Sequence, residues 1–300
     1  MSNVIAVSGA SGLVGSKLVT ALKSSGHQVL PMVRSSGAGG PEVILWDLTR
    51  GVVNPERMKG VDTIIHLAGE NIASGRWNSA IKERIRNSRV QGTRSLVNSL
   101  RASDSRPTTL VCASAIGFYG NRGDEVLAES AAAGKGFLAD VCSEWEAEAM
   151  KAEELGIRVV CVRIGVVLSR QGGALAKMLL PFKLGAGGIV GNGRQYWSWI
   201  GLTDLVRILQ FCAETPTVRG PVNAVSPEAV TNYQFTKALG GVLHRPTIFP
   251  LPAFMAKLVL GEMADELLLA SIRVQPAVLQ KAGFKFETPE LKQCLELELK

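Results

Sequence analysis

Paired cysteines are missing from this chain. Its five (Cys112, Cys142, Cys161, Cys212 and Cys294) are widely spaced and include no Cys-x-x-Cys. An odd count without a framework argues against a disulfide scaffold or a structural zinc site, and fits reduced thiols in a cytoplasmic protein. Histidine is scarce at three, too few for a His-rich metal centre, so no metal is expected. No apolar run approaches the roughly 20 residues that cross a bilayer, and no membrane partner is expected. The strand-like Val4–Val7 comes without a basic segment before it, so no secretory leader is expected. Basic residues are not interleaved with aromatics, which removes the usual signature of a nucleic-acid reader.

What is present is apolar surface. Hydrophobic residues make up 46% and charged residues 20% of 300, enough for a sizeable core and too little charge for disorder. That length allows one large domain or two closely associated ones. Lys and Arg exceed Asp and Glu by 33 to 26, a balance of +7 that permits an anionic partner without naming one. One basic cluster stands out, at Lys82, Arg84, Arg86, Arg89 and Arg94. It reads either as a solvated helix face or as one or two groups turned toward a phosphate.

Along the first half, short β-branched runs alternate with longer amphipathic stretches. Strands are predicted at Val4–Val7, Gln28–Val33, Val43–Trp46, Thr63–Leu67, Thr109–Ala113 and Ile157–Ile164. Helices are predicted over Leu13–Ser24, about Trp77 to Leu100, and Phe137–Leu155. Nearly all-apolar strands separated by helices imply an α/β fold: a doubly wound parallel sheet covered on both faces. After about Gly172 the rhythm changes. A glycine-studded loop (Gly185 to Gly193) leads into a strand at Gln195–Ile200, and Thr203–Asp204 reads as a helix cap. Apolar helices follow around Phe254–Leu260 and Asp265–Ile272. The expected division is a nucleotide domain over 1–170, with further elements from about 200–225, and a smaller substrate-side lobe over 171–300. Within that lobe a small C-terminal unit begins near 246.

The most informative motif is Ser8-Gly9-Ala10-Ser11-Gly12-Leu13-Val14-Gly15, between the first strand and the first helix. Gly9 permits the tight turn, Gly12 lets backbone approach a diphosphate, and Gly15 allows close helix packing. The helix start then offers unpaired N–H groups to the anion. About twenty residues on, an NAD site carries an acid for the ribose hydroxyl. Here Arg34 and Ser35 stand instead, and a guanidinium suits a 2′-phosphate, so NADP(H) is expected.

With that loop, His66-Leu67-Ala68-Gly69 resembles the short-chain dehydrogenase/reductase superfamily in its extended, epimerase-like branch. Ala68-Gly69-Glu70-Asn71-Ile72, Arg76-Trp77-Asn78, Ser88-Arg89, Ser114 to Gly120, Trp145-Glu146, Arg163 to Leu168 and Gln195 to Ile200 narrow the likeness. With Gly261-Glu262-Met263 and Gly283-Phe284 they resemble the subgroup of "epimerase family proteins", whose C-terminal domain has no known function. The resemblance spans essentially the whole chain. It implies a Rossmann-type sheet and a bound nicotinamide dinucleotide. It places Gly9, Ser11, Gly12, Leu13, Val14 and Gly15 at the diphosphate, Arg34 and Ser35 at the adenosine phosphate, and Asp47 and Leu48 at the adenine. Leu67, Ala68 and Gly69 fall at the ribose and bridging region. Arg89 is either a further cationic contact or a solvated helix residue.

Superfamily chemistry uses a Tyr and, four residues later, a Lys that lowers the phenol pKa, with a Ser nearby to hold the substrate oxygen. Ser114 fits the Ser position, but Leu138 and Cys142 occupy the Tyr and Lys places. A literal Tyr-x-x-x-Lys occurs only at Tyr233 and Lys237, on a peripheral helix. Tyr119 is the better-placed phenol, and Cys142 reads as a small core residue. Arg194, Gln195 and Trp197 are the candidate substrate contacts. The expected activity is oxidoreductase or epimerase-like chemistry on a small polar metabolite by a monomer or homodimer, and the competing expectation is a silent NADPH sensor.

Overall fold

A computed structural model describes residues 2–34 and 43–300. Its first half runs β1 (Val4–Ser8), α1 (Leu13–Ser24), β2 (Gln28–Arg34), β3 (Ile44–Asp47), the short β4 (Gly51–Val52), β5 (Thr63–His66), α2 (Ser79–Arg101) and β6 (Thr109–Ala115). After the short β7 (Val126–Leu127) come α3 (Phe137–Met150), β8 (Arg158–Ile164) and β9 (Val166–Leu168). The second half holds α4 (Gly173–Lys183), β10 (Tyr196–Trp197), β11 (Trp199–Gly201), α5 (Leu202–Glu214), β12 (Gly220–Ala224), β13 (Val230–Thr231) and α6 (Asn232–Leu243). It ends with α7 (Ala253–Leu260), α8 (Glu262–Ala264), β14 (Arg273–Val274), α9 (Ala277–Lys281) and α10 (Leu291–Glu298).

One eight-stranded sheet organises these elements in the order β12-β8-β6-β5-β1-β2-β3-β4, parallel except at the β3–β4 edge. The strands are apolar along most of their length because helices cover both faces, with polar residues confined mainly to their ends. Ile5, Val7, Leu18 and Leu22 pack with Leu205 and Ile208 on the α1/α5 side. Ala6, Ile64 and Leu110 pack with Leu96, Trp145 and Ala149 on the α2/α3 side. Strand order reverses between β1 and β5, so a crevice opens at their carboxyl ends, the place where such sheets bind ligands.

Three members of the basic cluster on α2 are taken up by ion pairs rather than left as a solvated face. Lys82 bonds Glu262, Arg86 bonds Glu144 and Arg94 bonds Glu148, each within 3 Å. These pairs tie α2 to α3 and to the C-terminal lobe, while Arg89 lies against Gly69.

Three sequence expectations fail in the lobe, each for a tertiary reason. The strand expected over Gln195–Ile200 breaks at Ser198, whose hydroxyl donates to Ile272 O and accepts from Val274 N, both at 2.8 Å. The break lets β10 pair with β13 and β11 with β9. The helix expected across Asp265–Ile272 is a single wide turn over Asp265–Leu269, after which the chain straightens toward β14. Helix α5 starts at Leu202 without a side-chain cap. Asp204 is buried and accepts from the N–H groups of Glu287 and Thr288, clamping the C-terminal segment to the sheet domain.

Candidate functional site

The crevice at the β1/β5 carboxyl ends has a volume of ≈ 670 Å³ and is walled by Gly9, Ser11, Gly12, Arg34, Leu48 and Leu67–Gly69 among others. Its floor is the glycine turn. Gly9 has φ of 70°, and a Cβ there would meet the carbonyl carbon of Leu67 at 2.9 Å. A Cβ on Gly15 would come within 2.1 Å of Gly9 O. Helix α1 opens with no side-chain cap and no acidic residue in its first turn, so its leading N–H groups and dipole face the crevice. That is a fitted anion cradle. Leu13 does not line it; its side chain packs beneath Gly172 and Gly173, where α4 begins.

A buried hydroxyl–imidazole pair holds the opposite lip. Ser8 Oγ accepts from the N–H groups of Leu67 and Ala68, at 3.0 and 3.2 Å. Its own proton therefore goes to His66 Nδ1, 2.7 Å away, which leaves the hydrogen of His66 on Nε2 without a partner. The bond secures the end of β5 beside the glycine turn. Full burial lowers the His66 pKa to about 4. Between pH 6.5 and about 4 the unfolded chain binds a proton that the folded chain refuses, so stability falls as pH drops. The full loss is about 3 kcal/mol. Urea denaturation at several pH values will show this slope, and His66→Asn, which keeps an acceptor for Ser8, will flatten it. Equal slopes in both proteins would remove His66 as the cause.

The adenosine end of the crevice is formed by β2 and β3. Arg34 is exposed on its wall and, among the described residues, has no carboxylate within ion-pair distance. Ser35 lies outside the described residues. Leu48 lines the wall, and so do Trp46 and Met32, which the sequence reading passed over. Asp47 does not line it. Its carboxylate accepts from Thr49 Oγ1 and from the N–H groups of Thr49 and Arg50, bonds that draw its pKa down to about 2.

From α2, Arg89 reaches the Gly69 lip of the crevice. Its guanidinium lies against Gly69, donates to Ile85 O and Ser88 Oγ, and sits 5.4 Å from the Trp145 ring. Among the described residues no carboxylate pairs with it, and burial lowers its pKa. Ser88 accepts in turn from Glu70 N at 3.0 Å, so α2 holds the Gly69–Glu70 lip in place.

Beyond Arg89, at the carboxyl ends of β6, β8 and β12, lies a buried polar network. Register explains it: Ser114, Arg163 and Asn223 are direct neighbours across the three strands. Arg163 forms a bidentate pair with Glu146 of α3, both bonds at 2.8 Å, and covers the Phe118 ring at 3.5 Å. Ser114 Oγ donates to Glu146 Oε1 at 2.6 Å. Burial opposes charge on Arg163, yet the Glu146 bonds hold its pKa above the ordinary value.

This network corrects the reading of Tyr119 as the candidate catalytic phenol. Tyr119 is fully buried; its hydroxyl donates to Asn223 Oδ1 at 2.7 Å and accepts from Arg163 at 2.9 Å. Burial raises the pKa of the phenol, although Arg163 opposes the shift. Leu138 and Cys142 are buried on α3, and burial with the nearby Glu146 pushes the Cys142 thiol up to about 11. Neither replaces a Tyr/Lys couple. Lys237 bonds Thr247 on the far side of the lobe, so the literal Tyr233/Lys237 pair has no place here.

The proposed substrate wall is also corrected. Gln195 Nε2 donates to the carbonyls of Val190 and Leu268, and Trp197 Nε1 also donates to Leu268 O. Trp197 packs on Phe235 in the lobe's own core. Arg194 is exposed on the turn after Asn192 and does not line the crevice. These side chains build the lobe. The network roles of Glu146, Arg163 and Asn223 escaped sequence reasoning, because polar residues at strand ends and on a helix signal a network only once register and helix docking are known.

With crevice and sheet in place, the comparisons agree. Residues 5–224 match the model of the NAD dependent epimerase/dehydratase family, and residues 251–297 match a domain of unknown function, DUF1731. The chain belongs to the NAD-dependent epimerase/dehydratase family. Its relatives are more particular. An epimerase family protein of Mycobacterium bovis is 43% identical over 292 residues, covering 97% of this chain and 96% of the relative. A chloroplastic SDR39U1 homolog of Arabidopsis thaliana is 36% identical, covering 97% and 85%. Human epimerase family protein SDR39U1, solved with NADPH, superposes with a TM-score of 0.88 at 32% identity over 98% of both chains. Among the described residues no helix is long and apolar enough to cross a membrane.

Proposed function

We propose that this chain binds NADP(H) rather than NAD(H) and acts as an oxidoreductase or epimerase-like enzyme on a small polar metabolite. The observation that carries the choice of cofactor is Arg34, which lines the crevice and, among the described residues, has no carboxylate within ion-pair distance. The human relative solved with NADPH supports it. The glycine turn and the start of α1 would hold the diphosphate, Arg34 the 2′-phosphate, and Trp46 and Leu48 the adenine. Leu67–Gly69 would flank the ribose, with Arg89 adding a cation midway. The nicotinamide group supplies hydride chemistry when bound.

Ser114 stands at the position of the family's substrate-orienting hydroxyl and would meet a substrate as an acceptor, because its proton is already donated to Glu146. Arg34→Asp is expected to raise the NADPH dissociation constant by about 10- to 100-fold, the loss of one or two charge-assisted hydrogen bonds. NADH binding should change far less. An unchanged NADPH constant by calorimetry would end the assignment. A second reading, a sensor that binds NADPH without turnover, is favoured by the burial of Leu138 and Cys142. NADPH oxidation with any of a panel of aldehydes, ketones and nucleotide sugars would exclude it.

A further inference from the structure

The substrate end of the site is shut. Ser114 is 2% exposed and Cys142 3%, and the wall of the open crevice, which ends at Gly69, Glu70 and Ser88, includes neither. Leu138 and Cys142 share one face of α3, four residues apart, and Gly117 of the turn after β6 lies against both. Leu138 in turn belongs to one apolar cluster with Met263, Trp77 and Ile85. Met263 sits on a short flap between Gly261 and Leu268. Gly261, with φ of 62°, turns the chain out of α7. At the other end Leu268 is anchored, its carbonyl accepting from Gln195 Nε2 and Trp197 Nε1. The wide turn over Asp265–Leu269 holds no buried residue.

We propose that this flap is a gate, latched by Glu266, whose release uncovers Leu138, Cys142 and Ser114 to an incoming substrate. The latch is polar. Helix α3 has no side-chain cap of its own. Instead the Glu266 carboxylate accepts from the N–H groups of Phe137 and Leu138, at 3.1 and 3.4 Å. Gly136 makes room for it: its φ is 117°, and a Cβ there would collide with Glu266 Oε1. A second fastener is exposed, the ion pair of Glu262 with Lys82 of α2. Closure carries a cost, since burial raises the Glu266 pKa against the pull of the two N–H groups. Partly exposed polar bonds over a small apolar cluster characterise a segment that opens locally, without global unfolding. The gate gives the C-terminal unit a task, keeping water from the reacting end until substrate arrives. That Ser114 meets the substrate rests on the proposed function; the flap and its latch do not.

Iodoacetamide labelling of the full chain without cofactor, read cysteine by cysteine by mass spectrometry, tests the gate separately from the cofactor reading. Cys161 is the control, because it lies mid-strand in the sheet and is reached only on global unfolding. Cys142 is expected to react at least ~10-fold faster than Cys161. Glu266→Ala should speed Cys142 by a further ~10-fold, the loss of hydrogen bonds to a charged group, and Cys161 far less. Glu266→Gln, which keeps an acceptor, should retain most of the protection. Hydrogen exchange at Phe137 and Leu138, whose N–H groups have no acceptor within the helix, should quicken along with Cys142. One common rate for Cys142 and Cys161, or equal acceleration of both by Glu266→Ala, would mean global unfolding and overturn the proposal. A fast Cys142 indifferent to Glu266→Ala would overturn it too, by placing the entrance elsewhere.

Discussion

Arg163→Leu is expected to lower folding stability by about 3–5 kcal/mol, the typical result of removing one partner of a buried ion pair. The guanidinium is 4% exposed and bonds Glu146 twice, Tyr119 once and the Glu129 carbonyl once. Without it, Glu146 would keep a buried carboxylate with Ser114 as its remaining hydrogen-bond donor. The desolvation of that charge sets the magnitude. Replacing both partners, Arg163→Leu with Glu146→Leu, should recover much of the loss, since no buried charge is then left uncompensated. Urea titration of the single and double variants measures both values. A single-variant loss below about 1 kcal/mol, the range of an exposed pair, would show that the network is wet.

Gly15→Val is expected to weaken dinucleotide binding by about 100-fold or more, because the anion cradle needs helix and turn in contact. A Cβ at this position would sit 2.1 Å from Gly9 O and 2.9 Å from Ala10 Cα. Both are backbone, so α1 must move off the turn, and the N–H groups that face the crevice move with it. Gly241→Ala on α6 is the control. Its Cβ meets nothing within 4 Å, so cofactor binding should be unchanged and the helix modestly stabilised. Fluorescence titration with NADPH separates the two variants. Equal affinities would place the cradle elsewhere.

The pairing of His66 with Ser8 shows how far a motif can be read locally. His66-Leu67-Ala68-Gly69 is visible as a string, and its position at a strand end follows from the apolar run before it. Why a histidine stands there is not visible. Ser8 lies 58 residues away, and only the parallel register of β1 and β5 sets the two side by side. Gln195 and Trp197 went the other way. Polar and aromatic residues after a glycine loop resemble a binding wall, but the loop folds back and those side chains bind the lobe's own carbonyls.

By itself the sequence determined what depends on neighbours along the chain. Helix α1 spans Leu13–Ser24 as its periodicity predicts, and the glycine turn precedes it because steric demands act within a few residues. The alternation of apolar strands with helices likewise settled the sheet, since a strand buried on both faces is apolar along most of its length. Only the tertiary structure decided which polar groups meet. Ser114, Glu146, Arg163 and Asn223 come from four separate elements. Their pairing is set by strand register and helix docking, and these follow from burial of the core rather than from spacing along the chain.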